Sequence, residues 1–146
     1  MDAPTAAVLQ AVIARESRSL LQYVSESFPW ATPEEQNVLA ALDRIIAEEC
    51  DAAAALGRLL IRKRHQAPYV GPYPMVFTNI NYVSLEHLLP LLVRHQRAAV
   101  RELEADIARV TDPEARAQLE NVLAMQRRHL GELEKMVTAT SKAAVA

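Results

Sequence analysis

Apolar residues recur along this chain at three- and four-residue spacing in four long stretches, the period of helices with one buried face. In the first stretch, from about residue 4 to 27, the stripe is Leu9, Val12, Ile13, Leu20, Tyr23 and Val24. Phe28-Pro29-Trp30-Ala31-Thr32-Pro33 ends it. Thr32 then offers an N-cap, with Pro33 at the first helical position, acids Glu34 and Glu35 in the first turn, and Thr32 and Glu35 at capping-box spacing. The second stretch, about 33–65, carries Val38, Leu42, Ile45, Ala52, Leu56 and Leu59. It closes on Arg62-Lys63-Arg64-His65, cations at the negative end of the helix dipole. The third, about 81–110, carries Leu85, Leu88, Leu92, Ala99, Leu103 and Ile107, with Pro90 predicting a kink or a later start. Thr111-Asp112-Pro113-Glu114 repeats the helix-start chemistry. The fourth stretch, 113–138, carries Leu119, Val122, Leu133 and Met136, and 139–146 reads as a frayed tail.

Residues 66–79, with Pro68, Gly71, Pro72 and Pro74, show no helical period. Extended at about 3.1–3.4 Å per residue, this segment reaches roughly 45 Å. A helix of about 30 residues has the same length, roughly 45 Å. The segment can therefore return the chain to the far end before the third helix starts. The connections on either side are short, which makes those helix pairs antiparallel neighbours. The pattern predicts one all-α domain over residues 1–146, a four-helix bundle with a long crossover between helices two and three. Tyr69, Tyr73 and Phe77 are expected to pin that crossover to the bundle.

Composition narrows the function classes. Apolar residues make up 51% of the chain, aromatics only 5%, and there are 3 glycines, a balance that suits packed helices. The net charge is -2 with acids and bases interspersed, which predicts no nucleic-acid partner. No stretch approaches the roughly 18 apolar residues of a membrane span. The first residues, Met1-Asp2-Ala3-Pro4, lack the apolar core of a signal peptide. One cysteine, Cys50, excludes an internal disulfide framework and fits a reducing, cytoplasmic setting. The residues form no Gly-rich phosphate loop, nucleophile elbow or His-Glu-x-x-His motif.

The candidate chemistry lies where a polar residue interrupts an apolar stripe. Glu16 does so in helix one and Glu49 in helix two. Gln96, with His95 beside it, does so in helix three, and Gln126 and His129 in helix four. Each position is near the middle of its helix, and antiparallel helices share their mid-height, so these groups are expected to meet in one layer. A buried carboxylate requires a partner or a metal. Carboxylates plus a His are the donor set with which a bundle holds transition metals.

In this pattern and in its crossover the chain resembles the ferritin-like superfamily, which includes ferritins and rubrerythrins. Its ligand pattern is Glu on helix one, Glu-x-x-His on helix two, Glu on helix three and Glu-x-x-His on helix four. The resemblance implies that Glu16 and Glu49 match the first two acids and that His129 matches the last His. It also implies iron, or another transition metal, as cofactor. Ala52 stands where the helix-two His is expected, Gln96 for the helix-three Glu and Gln126 for the helix-four Glu. A site holding one metal, an altered metal site, and a polar layer without metal are all open. With a metal, Glu16, Glu49 and His129 are the expected ligands, supported by Gln126 and by Gln96 or His95. Without one, the expected function is that of a non-catalytic helical scaffold or a protein-interaction and dimerisation module; with or without metal, a homodimer or larger homo-oligomer is expected.

Overall fold

Local chemistry at the helix ends sets the architecture. The computed structural model describes the backbone of residues 1–145 and the side-chain surroundings of residues 1–141. Among the described residues the chain is all-helical, with five α-helices. Helix α1 (Ala3–Ser17) is capped by Asp2, whose Oδ1 accepts from the Thr5 N–H at 2.9 Å. Helix α2 (Leu20–Ser27) follows at once, because Ser19 adopts an extended conformation and its hydroxyl caps the Gln22 N–H at 3.2 Å. The single first helix expected from the periodicity is thus two. The apolar spacing runs through the break undisturbed, so only the cap at Ser19 marks it.

Helix α2 ends at Phe28 in the left-handed region, φ 48°. A 3-10 turn (Pro33–Glu35) then leads into α3 (Gln36–Arg62), with the Thr32 N–H donating to Glu35 Oε1 at 2.9 Å. The far end of α3 is tied to the start of the last helix: Lys63 Nζ lies 2.9 Å from Glu114 Oε2, and Arg62 pairs with the same carboxylate.

The crossover is more ordered than its composition suggests, since Met75–Ile80 forms a 3-10 helix. Tyr73 and Phe77 do pin it, with ring centroids 5.2 and 5.8 Å from that of Tyr23. Tyr69 does not; it is 91% exposed. Arg18 Nε donates to the Gly71 carbonyl at 2.6 Å, and the Tyr23 hydroxyl donates to Asn81 Oδ1 at 2.7 Å.

Helix α4 (Leu85–Ile107) is capped by Ser84 and runs through Pro90 without stopping. Pro90 is the sixth residue of that helix, so it forgoes the bond to the Glu86 carbonyl and its ring crowds that carbonyl, yet the helix continues to Ile107. Helix α5 (Pro113–Val145) continues beyond the expected end at 138, so 139–145 are helical. Ala146, the last position of the expected tail, lies outside the described residues.

Pairing of α4 with α5 is the most extensive, followed by α1 with α3 and α3 with α5. The buried apolar residues fall into two clusters. One joins Leu9 and Val12 of α1, Leu56 and Leu59 of α3, Leu103 of α4 and Leu119 of α5. The other joins Leu21 and Val24 of α2, Leu42 and Ile45 of α3, Leu88 and Leu92 of α4, and Leu133 of α5. No helix among the described residues is long and apolar enough to cross a membrane.

Candidate functional site

The two apolar clusters are separated by a polar layer. Glu16 lies between Ile13 and Leu20, Glu49 between Ile46 and Ala53, Gln96 between Val93 and Val100, and Gln126 and His129 between Leu123 and Leu133. All five polar side chains are buried, the least so Glu16 at 6% exposure. The helical spacing that predicted them on the inward faces placed them there.

They are hydrogen-bonded to one another. Gln96 Nε2 donates to Glu49 Oε1 at 2.7 Å and to the Gln126 carbonyl at 3.3 Å. Gln126 Nε2 donates to Glu16 Oε2 at 2.8 Å. His129 Nδ1 is 2.9 Å from Glu49 Oε1, and its Nε2 is 2.6 Å from Glu48 Oε2. Helices α1, α3, α4 and α5 are thereby linked through one network.

The network reaches the surface on both sides. Glu48 is half-exposed and pairs with Arg44 at 2.9 Å; Arg44 also pairs with Glu132. On the opposite side Glu16 Oε1 meets Arg15 Nε at 3.4 Å. Arg15 also binds Glu102 at 3.0 Å and the buried Asp106 at 2.9 Å. Glu48 and Asp106 did not stand out in the sequence. Glu48 adjoins Glu49, but its role depends on which way His129 points, and spacing does not encode that.

Burial pushes the Glu16 carboxyl up to about 7, with the charge of Glu49 adding to the rise and Arg15 opposing it. For His129 burial is the largest influence and acts downward. The hydrogen bonds and charges of Glu49 and Glu48 together outweigh it and leave the imidazole above its ordinary value. The bond to His129 holds Glu48 below the usual carboxylate range, with Arg44 assisting.

A His with a carboxylate oxygen at each nitrogen is matched by the imidazolium form, which donates from both. In that form it has no lone pair for a metal. The glutamines act similarly: where the ferritin-like pattern places acids, Gln96 and Gln126 direct amide N–H groups at the two remaining carboxylates. Among the described residues, no group of three or more His, Cys, Asp or Glu side chains is placed to hold a metal ion. His95 stands outside the layer, exposed on α4, with its ring 6.1 Å from that of Phe77. Partial desolvation of the ring, with the charge of Arg94 adding to it, lowers its pKa. On α4 it is thus Gln96, not His95, that faces inward.

Glu16 and Gln96 also line a cleft of about 370 Å³. It opens where α1 gives way to α2, and its walls come from Leu20 and Leu21, from Pro72, Pro74 and Phe77 of the crossover, and from Leu92, His95 and Ala99 of α4. On the other side of the layer, Glu48 lines a shallower groove between α3 and α5 with Arg44, Met125 and Arg128. No protein-family model matches the sequence, and no curated protein or solved structure matches it either.

Proposed function

We propose that this protein is a non-catalytic, small-ligand-binding helical bundle of ferritin-like ancestry, in which the polar layer serves as the inner wall of a cleft instead of a metal centre. In this reading α1 and α2 are one interrupted helix of a four-helix bundle. The long crossover and the mid-height position of Glu16, Glu49 and His129 support the ancestry. The observation that carries the functional reading is the seating of His129 between the carboxylates of Glu48 and Glu49, at 2.6 and 2.9 Å. That arrangement engages both ring nitrogens in hydrogen bonds, while Glu16 and Gln96 face a cleft within the size range of small-molecule sites, about 300–1,000 Å³.

Elemental analysis of the tag-free protein, before and after exposure to Fe(II), tests this reading. The expected result is far less than one transition metal per chain in both samples and an unfolding temperature unaffected by chelator. Near-stoichiometric iron that disappears in Glu49→Gln would overturn it in favour of a metal centre built on Glu16, Glu49 and His129.

A further inference from the structure

The polar groups of the cleft are unevenly satisfied, and the imbalance identifies a ligand chemistry. Both guanidinium groups of its lining are already engaged. Arg15 binds three carboxylates, those of Glu16, Glu102 and Asp106. Arg18 donates to the carbonyls of Gly71 and Ser17 and lies over the Tyr73 ring, 4.8 Å from its centroid. The first turn of α2 has its own cap in Ser19.

The acceptors are in the opposite state. Gln96, which lines the cleft, directs its amide nitrogen inward to Glu49 and the Gln126 carbonyl, and its Oε1 receives no hydrogen bond from the described residues. Gln126 does not line the cleft; its Oε1 is buried without a partner among the described residues, on the side chain whose amide is bonded to Glu16. Glu16 itself has one amide donor and a guanidinium contact of 3.4 Å that Arg15 shares with two other acids. At the cleft wall, then, Glu16 and Gln96 Oε1 are acceptors with capacity to spare, which favours a guest that brings N–H groups and positive charge. An alkylammonium has up to three donors and no acceptor. A carboxylate would add acceptors where they are already in excess. Leu20, Leu21, Phe77 and Leu92 give the cleft an apolar wall that suits a hydrocarbon body.

Building on the reading of this cleft as a small-ligand site, we propose that its ligand is a primary or secondary ammonium with an apolar body. Glu16 and Gln96 Oε1 hold the nitrogen, and Phe77 and Leu92 pack the body.

The test is a two-dimensional NMR titration of the isotope-labelled full chain with phenethylamine. The neutral 2-phenylethanol and the anionic 3-phenylpropanoate serve as matched probes. The expected result is saturable shifts with the amine at 15–21, 74–77 and 92–99, and much weaker responses to the other two. Glu16→Gln should weaken the amine by about tenfold, the scale of one lost hydrogen bond to a charged group. Ala99→Phe, which fills the cleft and leaves the layer intact, should abolish binding. If the alcohol or the carboxylate binds at these residues as tightly as the amine, the ammonium assignment is wrong and the small-ligand reading stands. If none of the three perturbs these residues, both fail. Undiminished amine binding to a folded Glu16→Gln chain would overturn the role given to Glu16.

Discussion

Glu16 shows how one side chain couples the layer to solution conditions. Its ordinary pKa of 4.5 becomes about 7 in the fold. Between those values the folded chain holds a proton that the unfolded chain has released. The contribution to stability is therefore complete below about pH 4.5 and is lost as pH rises through 7. At about 1.4 kcal/mol per pKa unit, the decline amounts to about 3 kcal/mol. His129, raised above its ordinary 6.5, acts in the same direction: its contribution is complete below 6.5 and fades as pH rises through its folded value. Urea unfolding followed by circular dichroism from pH 4.5 to 8 should show stability falling across this window. In Glu16→Gln the fall between 4.5 and 7 should flatten, leaving the later part due to His129. A wild-type stability that rises across the window would show that Glu16 is ionised and well paired in the fold.

At the scale of elements, what the sequence disclosed depended on whether the signal was local. The Asp112-Pro113 start of α5 was legible because N-cap chemistry is carried by adjacent residues, and the Ala115 N–H donates to Asp112 Oδ1 at 2.9 Å; the same chemistry at Thr32-Pro33 caps the 3-10 turn Pro33–Glu35, and α3 itself begins three residues later than expected, at Gln36. The inward positions of Glu16, Glu49, Gln96, Gln126 and His129 were legible because helical period fixes the face. The division of α1 from α2 was not, since Leu9, Ile13, Glu16, Leu20 and Tyr23 keep one stripe through a kinked pair as they would through a straight helix. The continuation of α5 past 138 was hidden because Thr138, Thr140 and Ser141 read as weak helix formers, while the buried Thr140 keeps that turn packed. The break leads to a test of its own. Ser19→Ala removes the cap of an eight-residue helix that also walls the cleft, and should cost about 1 kcal/mol of stability. Loss of amide protection at 20–23, read by hydrogen exchange, should accompany it. Unchanged protection there would mean that packing of Leu20, Leu21 and Val24 holds α2 without its cap.

For the molecule as a whole, the layer opposes the most stable packing. Two apolar clusters that would otherwise be continuous are separated by two buried carboxylates, two amides and an imidazole, each kept from water. Their mutual hydrogen bonds repay only part of that desolvation, and replacing such buried ionic sets with apolar residues of similar volume is often neutral or stabilising by about 1–4 kcal/mol. The variant carrying Leu at positions 16, 49, 96, 126 and 129 should accordingly unfold at higher denaturant concentration than the natural chain. It should also lose the response to phenethylamine and the stability decline between pH 4.5 and 8. Gain of stability with loss of binding would mean that the layer is retained for what it recognises. A less stable variant would instead make the network a net structural asset: its hydrogen bonds would then outweigh desolvation, and the separation of the two clusters would be part of how this fold holds its helices in register.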